Sequence, residues 1–351
     1  MIQSRCCFAV GCAIVLGTFL GPTQSAGAQR LFRTTDPVEV TFTTDLRALK
    51  NDRDSTKFKP HGTLFTYKDA ANGKLVSVPV TLQTRGHFRR QARNCEFPPL
   101  SMEFRNKDAN NTLLQGNTKL KVTVNCKPGN SMYEQYVLQE YAAYRLYQRV
   151  SPYYYRTRLA RAVFKDSLAK MDSVVMWAFF IEDEKETAKK FKAFLEKSKG
   201  ALFDELEPTQ LAITNLFEYM IGNTDYSTAQ LHNMSLLRDS TATTIRTVAY
   251  DFDWSGVINA RYATPDARLG IKTVTERLHR GPCLTLAQWQ PTVDRFFEAR
   301  PAIDSIYKSI PALEPRLVKS SLEYYNDFYK SISDPRSIKR NLIEQCQRDG
   351  N

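Results

Sequence analysis

After its first 28 residues the chain holds no apolar run approaching the ~20 residues that a bilayer span requires, which excludes an integral membrane segment from the remainder. It has only four histidines. Of its seven cysteines, Cys6, Cys7 and Cys12 fall in the leading segment, leaving Cys95, Cys126, Cys283 and Cys346. None of these forms a Cys-x-x-Cys pair, so the usual structural zinc patterns are absent. Helix-turn-helix, zinc-finger and RNA-binding signatures are also missing, and the formal charge of +12 therefore does not point to nucleic acid. No internal repeat or low-complexity tract stands out.

Residues 1–28 read as a secretory leader. Arg5 is their only charge, Cys6 to Leu20 is apolar, and Ala26-Gly27-Ala28 is a small-x-small cleavage site. Gln29 is then the expected mature N-terminus. An uncleaved anchor is the alternative, but the apolar stretch is short for a span. Cys12 lies inside that stretch rather than after it, which argues against a lipoprotein. The mature chain is thus expected outside the cytoplasm: periplasmic, extracellular or attached to the envelope. Four remaining cysteines in an exported chain suggest disulfides, and sequence proximity favours Cys95–Cys126 and Cys283–Cys346. Four buried thiols are the other reading.

The positive balance suits anionic partners such as nucleotides or an anionic surface. The one dense basic patch is Arg85-Gly86-His87-Phe88-Arg89-Arg90-Gln91-Ala92-Arg93, which reads either as a solvated loop or as an anion site.

Strand patterns fill the first third. Val38 to Phe42, Gly62 to Tyr67, Lys74 to Thr84, Pro99 to Phe104 and Lys119 to Val124 alternate or are rich in β-branched residues, with turns at Asn72-Gly73 and Gly86. Ser131 with Glu134 forms a capping-box pattern. Tyr133, Val137, Tyr141, Tyr144 and Tyr147 then keep helical spacing, so Met132 to Arg149 is predicted to be a helix packed on an antiparallel sheet. Two strands follow, Tyr155 to Phe164 and Ser173 to Ile181. Helices are expected over Lys185 to Lys197, Thr209 to Ile221, Leu286 to Ser309, Pro315 to Ile332 and Ser337 to Gln347. The result is an α+β chain: a leader (1–28), an antiparallel β-rich part with one packed helix (29–181), and a mainly helical part (182–351).

The helical part also carries the chemistry. Gly222-Asn223-Thr224-Asp225 is followed by Asn233 and, after the apolar run Thr247 to Tyr250, by Asp251-Phe252-Asp253. These are hard oxygen donors of the type that Mg²⁺ or Mn²⁺ prefers. Phosphoryl transfer asks mainly for positioning and charge neutralisation. Asp225 is the candidate base, Asn233 and Asp251 are candidate metal ligands, and Asp253 is a second metal contact or a loop-fixing group. Lys121, oriented by Glu140, is the candidate cation for nucleotide phosphates.

These residues, in this order, resemble the spore-coat CotH-type, atypical protein-kinase-like family. The matching positions are Arg85-Gly86, the strand Lys121-Val122-Thr123-Val124 before a helix, Gly222-Asn223-Thr224-Asp225, Asn233, and Asp251-Phe252-Asp253; together they span roughly Thr84 to Ser255. The resemblance implies a kinase-like two-lobe fold that binds ATP with Mg²⁺ or Mn²⁺ and acts on a protein or small-molecule acceptor. It also implies Asp225 as base and Asp251 as metal ligand. The chain departs from the family where Phe97 to Phe104 contains no lysine, which leaves Lys121, Lys119 and Arg85 as substitute cations. It departs from ordinary kinases in spacing, because Gln230, not Asn233, lies five residues after Asp225. No glycine-rich strand-turn-strand is present.

Two other readings compete. A kinase-shaped envelope protein without turnover would use the acidic residues for a structural cation or for none. A phosphohydrolase would use Asp251 and Asp253 as nucleophile and acid, but that motif normally opens a parallel α/β domain, and mainly helical sequence follows Ser255.

Overall fold

The computed structural model describes residues 30–54, 56, 57, 59–240 and 244–347; the leader reading of residues 1–28 lies outside them. Seven strands close into a barrel: β1 (Val38–Thr44), β2 (His61–Lys68), β3 (Leu75–Thr84), β4 (Leu100–Glu103), β5 (Lys119–Val124), β6 (Thr157–Asp166) and β7 (Val174–Glu182). Short helices α1 (Leu46–Asn51) and α2 (Asn106–Ala109) lie in its connections. Inward-facing Phe42, Phe65, Phe164 and Phe180 fill the barrel, with the Phe42 and Phe164 rings stacked 4.8 Å apart.

The expected antiparallel sheet is corrected in one respect. β1 runs parallel to β6, Val38 opposite Ala160 through Thr44 opposite Asp166, and this pairing closes the barrel. Alternation of side chains reports which face of a strand is buried and is silent about the direction of its partner.

The predicted long helix is present as α3 (Ser131–Val150). Its cap is Asn130 rather than Ser131: the Asn130 carboxamide accepts from the Met132 and Tyr133 backbone N–H groups. Glu134 instead pairs with Arg161 of β6 at 2.8 Å and accepts the Trp177 N–H at 3.0 Å. α3 is buried along most of its length because it lies between the barrel and the helices that follow.

Glu184–Lys190 forms α4, but the expected helix to Lys197 ends there. Lys192 takes a left-handed φ of 52° and the chain enters β8 (Ala193–Glu196), which pairs with β9 (Met234–Asp239); β9 in turn pairs with β10 (Ile245–Ala249). Strand pairing has overridden a helical pattern of moderate propensity. Beyond lie α5 (Pro208–Ile221), α6 (Leu286–Ser309) and α7 (Pro315–Ser331), near the expected bounds. The predicted last helix is instead a short α8 (Pro335–Ile338) and a π-helical turn over Lys339–Ile343. Cys346 returns to Cys283, and Cys95 is joined to Cys126, the two expected pairings. Among the described residues no helix is long and apolar enough to cross a membrane.

Candidate functional site

The site lies where α3, the β3–β4 connection and the chain leaving β10 meet. β10 ends at Ala249, and Asp251 adopts a left-handed φ of 64°, a conformation that aspartate tolerates better than most residues. The Asp251 N–H donates to the Tyr144 hydroxyl of α3 at 2.8 Å. This turn directs Asp251 and Asp253 toward Glu140 on α3, and one carboxylate oxygen from each of the three lies within 4.8 Å of the others.

Arg89 faces all three. Its guanidinium is 3.0 Å from Asp251 Oδ1, 3.5 Å from Asp253 Oδ2 and 3.7 Å from Glu140 Oε2. Burial opposes its charge, but the carboxylates outweigh that cost and hold Arg89 firmly protonated. One cation does not neutralise three acids. Burial, reinforced by Asp253 and Asp251, drives Glu140 well above the usual carboxylate range. Burial also raises Asp253 to about 6, against Arg89. Glu140 Oε1 is buried without a hydrogen-bond partner, while Asp253 Oδ2 accepts from the Tyr262 hydroxyl at 3.0 Å.

The β3–β4 connection is anchored several times over. Arg53 donates to the carbonyls of Arg90, Cys95 and Glu96 at 3.1, 3.0 and 2.6 Å. Arg90 approaches Asp52 at 3.5 Å, and the Cys95–Cys126 bond ties the loop to the end of β5. Phe88 packs edge-on against Trp254, 5.4 Å between centroids. The basic patch is therefore a built loop here. The sequence singled out the patch but had no signal separating Arg89 from Arg90 or from Arg93, whose Nε donates to Gln91.

The expected Lys121–Glu140 pair does not form. Lys121 Nζ meets Glu184 Oε1 at 2.5 Å and lies over the Tyr250 ring, 4.5 Å from its centroid. It lines a cleft of about 850 Å³ with Lys119, Arg105 and Lys185, between the barrel and the β8 region. Arg85 donates to the Leu100 carbonyl at 3.1 Å, and its charge acts on both Glu140 and Glu184, so it stands between cleft and acid cluster.

Asp225 and Asn233 form a second group. Asn233 Nδ2 donates to the Asp225 carbonyl at 2.7 Å and to its Oδ2 at 3.1 Å, while Asp225 Oδ1 is 3.1 Å from His232 Nε2. That contact raises His232 above its ordinary value, against partial burial. Asn233 thus sits on Asp225. The groups are neighbours all the same: the Tyr250 N–H donates to the Asn233 carbonyl at 3.1 Å, and Asp225 acts electrostatically on Asp253. Asp225, His232 and Trp254 line a cavity of about 890 Å³.

Hard carboxylate donors around an orphaned buried oxygen fit a divalent cation of the Mg²⁺ or Mn²⁺ type. No protein family and no curated protein sequence matches the chain. Among solved structures, it is similar to the Helicobacter pylori proinflammatory kinase CtkA, with a TM-score of 0.39 and 10% identity, over 70% of this chain and 95% of that one. The functional reading therefore rests on the chemistry of the site itself.

Proposed function

We propose that the protein is an exported phosphotransferase of kinase-like, two-lobed design that takes ATP with Mg²⁺ or Mn²⁺ and phosphorylates a hydroxyl on an envelope or secreted acceptor. The observation that carries this reading is the acid excess: Glu140, Asp251 and Asp253 share one guanidinium, and a buried Glu140 oxygen is unpaired. A bound divalent cation would supply the missing positive charge and neutralise phosphoryl oxygens. Asp251, Asp253 and Glu140 are its ligands. Lys121, with Lys119 and Arg105, is the cation that lines the cleft and is available to phosphates there, and Arg85 stands between the cleft and the acids. Asp225 is the base, fixed by Asn233 and facing the cavity that would receive the acceptor. The two disulfides suit an oxidising compartment.

A second reading, a kinase-shaped binding protein without turnover, is favoured by one observation: Arg89 already contacts all three acids. Two measurements separate the readings. With Mn²⁺ and ATP together the melting temperature should rise, since a ligand of the native state stabilises it. With labelled ATP the protein should label itself or an acceptor, and Asp225→Ala or Asp251→Ala should lower transfer at least about a hundredfold. A thermal shift without any transfer supports a protein that binds nucleotide without turnover; neither shift nor transfer ends the phosphotransfer reading and leaves a kinase-shaped protein whose acids are satisfied by Arg89 alone.

A further inference from the structure

Asp225 stands four residues beyond the end of α5, on a segment whose shape is set from beneath. α5 closes on Gly222, at φ 68°, where an added Cβ would lie 2.0 Å from the Tyr324 hydroxyl oxygen, so this turn requires glycine. One turn earlier Glu218 is fully buried. Its Oε2 accepts from Asn223 Nδ2 at 2.9 Å, and its own carbonyl accepts the Asn223 N–H at 2.8 Å. Asn223 Oδ1 then accepts the Asp225 N–H at 3.0 Å. From the other side Arg280 donates to the carbonyls of Thr224 and Tyr226, at 2.5 and 2.7 Å.

We infer that Glu218 is a positioning residue, which fixes the backbone of Asp225 through Asn223 and acts as a hydrogen-bond acceptor that glutamine can replace. Simple packing does not explain a carboxyl there. A buried acid is costly, and its charge is of the wrong sign for the C-terminal turn of a helix. Burial, with Asn223 and Arg280 opposing and Asp225 adding, pushes Glu218 well above the carboxylate range and so toward its neutral form, and its Oε1 is buried without a hydrogen-bond partner. A neutral acid and a primary amide offer Asn223 the same carbonyl.

The catalytic side of this inference rests on the phosphotransfer reading; the positioning side does not, and the experiment has an arm for each. Hydrogen exchange at the 223–226 amides is compared in the full chain and in Glu218→Gln, Glu218→Ala and Asn223→Ser, beside steady-state transfer from ATP. Glu218→Gln should keep Asp225 amide protection and kcat within about twofold, whereas Glu218→Ala and Asn223→Ser should each lose about tenfold or more in both, the cost of one buried hydrogen bond. The KM for ATP should stay within about twofold, because the change acts through the base loop and not through phosphate contacts. Unchanged protection in Glu218→Ala, or equal damage from Gln and Ala, overturns the inference; Asn223→Ser carries the test if the alanine variant does not fold. Should the unmodified protein transfer no phosphate, the phosphotransfer reading fails and exchange alone decides the positioning role.

Discussion

Glu182 at the end of β7 and Glu140 in the middle of α3 are both glutamates with almost no solvent exposure, yet they live in opposite electrostatic regimes. Glu182 meets two cations, Arg156 at 2.6 Å and Lys190 at 3.0 Å, and accepts the Arg156 N–H at 3.1 Å. Burial alone would raise it, but these partners win and hold it below the ordinary range. Glu140 shares the Arg89 guanidinium with two aspartates and feels Arg85 only more weakly, and burial wins. The first region is closed and balanced, a clamp between β7 and α4. The second is built with a deficit of positive charge, which a folded chain does not sustain without protonation or a cation. Charge balance, more than burial, separates scaffold from site in this molecule.

The comparison can be broken at several points. Removing the Cys95–Cys126 bond, which holds the loop of Arg89, should cost about 4 kcal/mol of stability for a loop of this size, measured by denaturant unfolding. His279 extends the contrast to a base with no charge partner at all, packed against the Tyr219 and Trp289 rings. Desolvation lowers it to about 4. The unfolded chain therefore takes up this proton first, so stability is complete above about pH 6.5 and falls by about 3 kcal/mol as pH drops toward 4. His279→Phe should flatten that part of the pH–stability curve.

Glu182→Gln should destabilise by about 2 kcal/mol, because two partly exposed cations lose their counter-ion. Glu140→Gln should cost about 1 kcal/mol or less, since an amide replaces a carboxyl already held toward its neutral form, and it should abolish any thermal shift with Mn²⁺. A larger loss from Glu140→Gln than from Glu182→Gln would reverse the assignment of scaffold and site.

Much of the scaffold was readable in the chain because it is written locally. The Lys119–Val124 strand and the Leu286–Ser309 helix fall where their periodicities put them. The cysteine pairs followed from proximity. Closure of the barrel through β1 and β6 was not readable, because a partner about 120 residues away leaves no local trace. The site shows the same division. Asp225 and Asn233 were recognised together and do touch, as Asp251 and Asp253 share one turn. The partners of Glu140 and Lys121 were misjudged. Sequence order put both near phosphates, but which cation meets which acid depends on the β3–β4 loop and on α4, elements fixed by tertiary anchors. Glu218 resembled any other polar helix residue until its burial was seen.

The closed barrel has one further consequence. In the strand-rich half of the chain, the half most able to recruit foreign strands, every strand has a neighbour on each side, and residues 75–80 of β3, which runs past the end of β4, are left paired to β2 alone. Among the described residues, the smaller sheet adds borders at Ala193–Glu196 and Ile245–Ala249, each too short to give a visiting strand much purchase. The topology thereby confines any recruitment of a foreign strand to these short borders.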